Sequence, residues 1–218
     1  NVTIGIIGVG RIGSRVIRRI KPFGTPRILV NDIDSSYRPA IESKLEWVSK
    51  EIIYKEADVI GVQSKSNLNH FNNKSYRGSY KLEVLFNWKQ IVPHKLEKWN
   101  LREKFNLQNK AIYVFGGNIG FAQDVDNLLT LVSAFKNEKK IHFLFIGEGT
   151  EYTRIEKWLK NQGLETNLTL LPAVSNDEYQ SILQECDVGI ISLRKDFKTD
   201  NIPNKILNYL DYQLPILA

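Results

Sequence analysis

The chain has 218 residues, of which 42% are hydrophobic and 11% aromatic, enough to form the cores of one large or two small α/β units. Its longest apolar runs fall far short of the roughly 20 residues that a membrane-spanning helix needs. A single cysteine, Cys186, excludes an internal disulfide framework. The formal net charge of +6 would suit an anionic partner, but Lys and Arg are scattered among glutamates, which argues against nucleic-acid binding.

The ends of the chain and its cysteine content bear on location. The first residues predict a strand running into a glycine turn, with no basic leader and no small-residue cleavage site, so we expect no signal peptide. The lone thiol fits a reducing compartment. We expect a cytoplasmic protein, with attachment to the inner face of a membrane as the alternative, and we expect both ends to be cuts.

Short apolar runs alternate with helical stretches from the first residues onward, which is the pattern of βαβ units and a parallel sheet. In the first half, strands are predicted over residues 3–8, 27–31, 59–63 and 81–86, and helices over 13–21 and 50–56.

Residues 91–107 are rich in Lys and Glu and are predicted to form a linker with a helix. Strands are then predicted over 111–115, 142–146, 168–171, 188–192 and 214–217, and helices over 125–136, 152–162, 176–185 and 203–209. The sequence therefore predicts an α/β fold of two Rossmann-like parallel-sheet lobes. These are residues 1–90 and 108–218, and we expect the second to be incomplete at its C-terminus.

A dinucleotide-binding turn is predicted directly after the first strand, where residues 8–13 read GVGRIG and open a helix. Gly8 permits the tight turn, Gly10 admits a pyrophosphate and Gly13 lets helix and strand pack closely. A carboxylate at the end of the second strand can bind ribose hydroxyls, which favours NAD over NADP. The candidate cofactor-binding residues are Gly8, Gly10, Arg11, Ile12, Gly13 and Asp32. The alternative is a glycine turn that only packs a helix.

Residues 1–60 closely resemble the NAD-binding domain of D-isomer-specific 2-hydroxyacid dehydrogenases. The resemblance implies NAD as a cofactor, but the catalytic arginine, glutamate and histidine of that family have no matching segments in this chain. A bound nicotinamide without a proton donor gives no hydride transfer. We expect the three histidines, His70, His94 and His142, to be surface or packing residues.

A second nucleotide site is indicated by a glycine loop at residues 116–120 and by a helix opening near Pro203. The glycines clear room for a diphosphate or sugar, and exposed N–H groups at a helix start can hold phosphate. Arg194, Lys195 and Lys198 could neutralise a leaving nucleotide diphosphate. Glycine loops and Pro-started helices occur in every doubly wound sheet, so each alone is weak evidence.

Four stretches, residues 113–120, 145–149, 170–189 and 202–217, resemble the donor-binding half of group 1 (family 4) GT-B glycosyltransferases. The resemblance implies a nucleotide-sugar donor, expected to be a UDP-sugar, and a saccharide, polysaccharide or lipid-linked acceptor. It implies no cofactor for glycosyl transfer and no metal, and it assigns no catalytic residue. The implied donor-binding residues are Gly116, Gly117, Asn118, Gly120, Glu148, Leu171, Arg194, Lys195, Asn204, Lys205 and Asn208.

The chain departs from this family at four positions. Asp200 and Asn208 stand where many relatives carry a pair of glutamates, so the ribose contact is at best an amide. Phe121 follows the glycine loop where a lysine is frequent, and Gln213 replaces a usual glycine. We therefore expect weak donor affinity.

Three hypotheses follow. In the first, the chain is a glycosyltransferase-type protein of doubtful activity, because the acceptor half is replaced by dehydrogenase-like sequence. This hypothesis is favoured because the glycosyltransferase-like stretches cover more than half of the chain. Alternatively it is a fragment of an NAD-dependent D-2-hydroxyacid dehydrogenase, or a non-catalytic nucleotide-binding composite. A junction near residue 58 would keep the hydrophobic pattern of a parallel sheet in register.

Overall fold

A computed structural model describes residues 3–7, 17–18, 27–31, 45–72, 80–86, 97–162, 166–196 and 202–218. The chain forms two compact units, Asn1–Phe86 and Asn87–Ala218. Every strand pairing in the described residues is parallel. The predicted α/β class with parallel sheets is confirmed.

Among its described residues, the first unit holds a three-stranded sheet and a two-stranded sheet. Its elements are β1 (Thr3–Ile7), β2 (Arg27–Asn31), β3 (Leu45–Trp47), α1 (Lys50–Glu56), β4 (Val59–Val62), a 3₁₀ helix (Ser66–Asn72) and β5 (Lys81–Val84). The strand order is β1-β2-β3 in one sheet and β4-β5 in the other.

The central strand β2 carries the small core that is described in this unit. Ile28 and Val30 are buried and pack with Ile17. Strand β3 was not predicted, because it is three residues long with a glutamate in its centre. Glu46 is held there by two hydrogen bonds from Arg27 on β2, of 2.8 and 2.9 Å.

The predicted cofactor residues Gly8, Gly10, Arg11, Ile12, Gly13 and Asp32 lie outside the described residues. Of the helix predicted over 13–21, residues 17 and 18 are described and helical.

The second unit is a five-stranded sheet with helices between its strands. Its elements are α2 (Leu101–Lys104), β6 (Ala111–Asn118), a 3₁₀ turn (Phe121–Gln123), α3 (Val125–Ala134), β7 (Ile141–Glu148), α4 (Tyr152–Gln162), β8 (Leu168–Leu171), α5 (Asn176–Leu183), β9 (Val188–Ile190), α6 (Lys205–Asp211) and β10 (Ile216–Leu217). The strand order is β10-β9-β6-β7-β8.

Both faces of this sheet are covered by apolar side chains. Along β7, Phe143 and Phe145 belong to one core cluster, and Leu144 and Ile146 to the other. A strand buried on both faces reads as a continuous apolar run, which is why the sequence predicted it readily. Strands β6 and β7 continue to Asn118 and Glu148, beyond their predicted ends, because the glycines there keep the ladder pairing.

The described part of the predicted linker 91–107, residues 97–107, contributes to the core of the second unit. Leu101 and Leu107 are buried in the cluster that also contains Leu144. The N-terminus of α2 donates to the Glu185 carboxylate from the backbone of Leu101, at 3.1 Å. Arg102 donates to Asp187 at 2.8 Å. The second unit therefore includes residues that the sequence placed between the lobes.

Candidate nucleotide-sugar site

The order of the strands places a topological switch point between β6 and β9, and we call the region outside the carboxyl ends of these two strands the crevice. From β6 the chain proceeds to β7 and β8 on one side, and then returns to β9 and β10 on the other. Open parallel sheets bind ligands outside the carboxyl ends of the strands at such a switch point. The predicted glycine loop lies there, because residues 116–118 end β6.

The glycine loop depends on two close approaches of the backbone. Gly117 has φ of +106°, a conformation that a residue with a side chain rarely adopts. At Gly147 on β7, a Cβ atom would overlap the carbonyl oxygen of Gly117. Ile119 then donates its N–H to the carbonyl of Glu148 at 2.8 Å, which fixes the loop against the end of β7.

Beneath the loop, a buried tyrosine pins β6 to β9. The Tyr209 hydroxyl accepts the N–H of Gly116 at 3.3 Å and lies 3.2 Å from the carbonyl oxygens of both Val114 and Ile190. Burial raises the pKa of Tyr209 to about 12, so the hydroxyl stays protonated and can donate to either carbonyl. No role was predicted for Tyr209, since nothing in the sequence of helix α6 alone indicates that its hydroxyl reaches two strands.

Gly116 is needed for a second reason, which is the packing of Tyr179 from α5. A Cβ atom on Gly116 would overlap the Tyr179 hydroxyl. Burial raises the pKa of Tyr179 as well. This glycine therefore shapes the floor of the crevice, while Gly117 and Asn118 are exposed at its edge.

Lys205, the first residue of α6, carries a partly buried ammonium group at this crevice. Its Nζ donates to Gln123 Oε1 at 2.8 Å and lies 3.7 Å from the centroid of the Phe115 ring. Desolvation lowers the pKa of Lys205 to about 8. Within the described parts of the chain no carboxylate forms an ion pair with it. The protein thus presents a desolvated cation whose charge an anion would compensate.

Arg194, which follows β9, is held from two sides. Its Nε and Nη2 atoms each donate to the Asp196 carboxylate at 2.8 Å. Its guanidinium carbon lies 4.1 Å from the centroid of the Phe121 ring. The hydrogen bond to Asp196 raises the pKa of Arg194 and lowers that of Asp196.

The remaining predicted residues differ in their distance from this centre. Gly120 is buried, Glu148 ends β7 opposite Asn118, and Asn204 directly precedes α6. Asn208 is half-buried one turn further along α6, and Lys195 is exposed beside Arg194. Leu171 is half-buried at the end of β8, two strands away from β6. Lys198 and Asp200 lie outside the described residues.

His142, the described histidine of the second unit, supplies no chemistry to this crevice. His142 is buried at the opposite end of the sheet, near the start of β7, where its Nε2 lies 2.8 Å from the Thr169 hydroxyl. Burial lowers the pKa of His142 to about 4. His70 is exposed, and His94 lies outside the described residues. No group of three or more metal-ligating side chains occurs in the described ranges.

A glycine loop at the switch point of a parallel sheet, with a lysine beside it that has no carboxylate partner among the described residues, is an arrangement suited to an anionic ligand. Residues 97–218 match the profile of the family described as "Glycosyl transferases group 1". The chain belongs to this family. Residues 1–72 match "D-isomer specific 2-hydroxyacid dehydrogenase, NAD binding domain", so the composite nature of the chain is confirmed. That match runs past the junction expected near residue 58.

Individual proteins resemble the two parts separately. A colanic acid biosynthesis glycosyl transferase, WcaI, of Escherichia coli (strain K12) is 29% identical over 111 residues, covering 50% of this chain and 27% of that protein. The glyoxylate reductase/hydroxypyruvate reductase of Homo sapiens is 42% identical over 60 residues, covering 28% and 18%. The chain thus spans about a quarter or less of these two relatives.

Among solved structures, the chain resembles Anabaena Alr3699/HepE in complex with UDP and glucose. The TM-score is 0.56 at 13% identity, over 97% of this chain and 58% of that one. This similarity confirms the predicted GT-B-like fold class. In the described residues, no helix is both long and apolar enough to cross a membrane.

Proposed function

We propose that the second unit binds a nucleotide sugar of the UDP class at the carboxyl ends of β6 and β9. The sugar is transferred to a polysaccharide or lipid-linked acceptor. The observation that carries this proposal is the ammonium of Lys205, which lies beside the glycine loop without a carboxylate partner in the described structure. In the described structure this desolvated lysine contacts a neutral amide and an aromatic ring, neither of which compensates its charge. The uncompensated charge lowers the free energy of unfolding, and a bound diphosphate would offset that loss.

The proposed reaction breaks the bond between the anomeric carbon and the oxygen of the β-phosphate. Both electrons of that bond remain on the departing oxygen, so negative charge grows on the nucleoside diphosphate. Lys205 stabilises this charge, and Arg194 adds a second positive group near the same loop. The acceptor hydroxyl oxygen forms the new bond to the anomeric carbon, and its proton passes, directly or through water, to the departing diphosphate.

The comparisons support the class of donor and acceptor. The structurally similar HepE holds UDP and glucose, and the relative WcaI is described as acting in colanic acid biosynthesis. Both are longer than this chain. Binding of the donor is therefore the first step to test in this chain.

Calorimetric titration with UDP tests this proposal. Replacing Lys205 by Met removes the charge but keeps much of the aliphatic stem, and we expect the affinity for UDP to fall at least about tenfold. The matched control is Lys157→Met, on the exposed face of α4, which should leave the affinity within about twofold. Equal binding by the wild type and Lys205→Met would contradict the proposal, as would a wild type that does not bind UDP.

A second candidate function, binding of NAD by the first unit, is favoured by the match of residues 1–72 to an NAD-binding domain. Titration with NADH, followed by its fluorescence, tests this candidate, with Gly10→Val as the variant expected to lose binding. A chain that binds UDP but transfers no sugar would support the non-catalytic composite instead.

A further inference from the structure

The 3₁₀ turn Phe121–Gln123 lies directly after the glycine loop and contacts both cations of the site. Gln123 accepts a hydrogen bond from Lys205 at 2.8 Å. The Phe121 ring lies under the Arg194 guanidinium at 4.1 Å. The carbonyl of the middle residue, Ala122, accepts the backbone N–H of Arg194 at 3.0 Å. The turn therefore contacts two cations, Arg194 and Lys205, that both lie far from it in sequence.

The groups with which this turn contacts the two cations, an amide and an aromatic ring, are themselves uncharged. An ammonium group has only donors, so Lys205 must face the oxygen of the Gln123 amide. An amide oxygen orients the ammonium without cancelling its charge, whereas a carboxylate at the same place would form an ion pair. The face of the Phe121 ring attracts the guanidinium through its quadrupole and likewise leaves its charge in place.

The bonds of Arg194 leave part of its guanidinium for a ligand. Nε and Nη2 are engaged by Asp196, and no described group accepts a hydrogen bond from Nη1. A guanidinium carries five N–H donors in a fixed plane. The two bonds to Asp196 and the contact with the Phe121 ring together hold the guanidinium in place, so the remaining donors keep one orientation.

We propose that the Phe121–Gln123 turn positions the cations that bind the donor diphosphate, Gln123 acting through Lys205 and Phe121 acting through Arg194. This inference rests on the proposed function, and its tests separate the two. Phe121 replaces the lysine that is frequent at this place in similar sequences. Phe121 carries no charge itself, and in this chain it therefore supports the charged Arg194 from another segment.

The first test replaces Gln123 by Glu, which has nearly the same shape but pairs with Lys205. We expect UDP to bind about tenfold more weakly or worse in calorimetry, since the new carboxylate competes with the diphosphate for the ammonium. The control is Gln162→Glu, which adds the same charge at the exposed end of α4. Wild-type affinity in Gln123→Glu would overturn the role of Gln123.

A second measurement needs no ligand. The pKa of Lys205 can be followed by NMR of the chain with ¹³C-labelled lysine, assigned with the Lys205→Met variant. We expect Gln123→Glu to raise this pKa and Gln162→Glu to leave it unchanged. An unchanged pKa in Gln123→Glu would show that residue 123 does not face Lys205 and would overturn the inference. If the wild type fails to bind UDP but this pKa rises, the proposed function fails and the contact between Gln123 and Lys205 stands.

The third test concerns Phe121. Phe121→Leu should weaken UDP binding about two- to fivefold, the size expected for loss of an exposed cation–π contact. Phe135→Leu is the control, since Phe135 is a partly exposed phenylalanine at the end of α3. In an Arg194→Ala background, Phe121→Leu should have no further effect, because coupled residues are not additive. A full effect in that background would show that Phe121 does not act through Arg194.

Discussion

The two units differ in how deeply their strands are buried and in the surroundings of one cation in each, Arg27 and Lys205. In the second unit, β7 is buried along six of its eight residues, whereas β4 and β5 of the first unit alternate between exposed and half-buried positions. Arg27 of the first unit pairs with two carboxylates, Glu46 and Glu56. Lys205 of the second unit pairs with none that the structure describes. The two carboxylates compensate the charge of Arg27 without any ligand, whereas the desolvated charge of Lys205 has no such carboxylate in the described residues and points to a ligand.

The difference in burial can be tested by truncating one phenylalanine in each unit. Phe145→Ala, in the doubly covered sheet, should lower the free energy of unfolding by about 3–5 kcal/mol. Phe86→Ala, at an exposed side chain of the first unit, should change it by less than about 0.5 kcal/mol. Urea denaturation followed by tryptophan fluorescence measures both. Similar losses in the two variants would show that the contrast in packing has no energetic consequence.

The buried histidine of the second unit should make its stability depend on pH. The pKa of His142 is lowered to about 4 in the fold, so the unfolded chain binds more protons between about pH 6.5 and pH 4. The contribution of His142 to the free energy of unfolding is fully present above pH 6.5. It decreases by up to about 3 kcal/mol as the pH falls to 4.

The His142→Gln variant checks this effect by urea denaturation at pH 7 and pH 4.5. The loss of stability between the two pH values should be smaller in His142→Gln than in the wild type. The exposed His70 of the first unit supplies the control, and His70→Gln should keep the wild-type loss. An identical loss in all three chains would rule out His142 as its source.

Lys205 should make the affinity for UDP depend on pH, and this affinity should fall as the pH rises. Since the pKa of Lys205 is lowered to about 8, the free protein loses this charge as the pH rises through that value. A bound diphosphate favours the charged form and raises the pKa, so binding takes up a proton near pH 8. Above pH 8, the affinity for UDP should fall by up to about tenfold per pH unit.

Calorimetry in two buffers of different ionisation enthalpy measures this proton uptake. Lys205→Met should show neither the uptake nor the steep fall in affinity. The same variant should also be more stable than the wild type at pH 7 without ligand, because the desolvated charge is gone. Proton uptake that persists in Lys205→Met would assign it to another group.

How much the sequence could predict depends on the range of the interactions involved. The buried strands were predicted because each is a local apolar run. The ends of β6 and β7 were placed too early, since Gly116 and Gly147 pair in the ladder without an apolar side chain to reveal it. Strand β3 was missed because it depends on Arg27, 19 residues away from Glu46.

The site shows the same limit at a larger separation. The glycine loop, Arg194 and Lys205 were predicted from local motifs and family resemblance. The support beneath them was not, because Gln123 and Lys205 are 82 residues apart in sequence, and Tyr209 meets Val114 across 95. No local pattern encodes such contacts. The dinucleotide turn of the first unit stays a prediction, since its residues lie outside the described ones.

The tyrosine that joins β6 to β9 gives the smallest expected effect and the finest test of the second unit. Tyr209→Phe keeps the ring and removes the hydroxyl, which leaves the N–H of Gly116 without its acceptor. We expect a loss of about 1–2 kcal/mol in the free energy of unfolding, since an unsatisfied buried donor remains. Tyr212→Phe is the control, because that hydroxyl donates to Gln180 from a half-buried position. Since Gly116 lies in the glycine loop, Tyr209→Phe should also weaken UDP binding, and Tyr212→Phe should not. If Tyr209→Phe loses stability but keeps full affinity for UDP, the Tyr209 hydroxyl supports the fold without affecting the glycine loop.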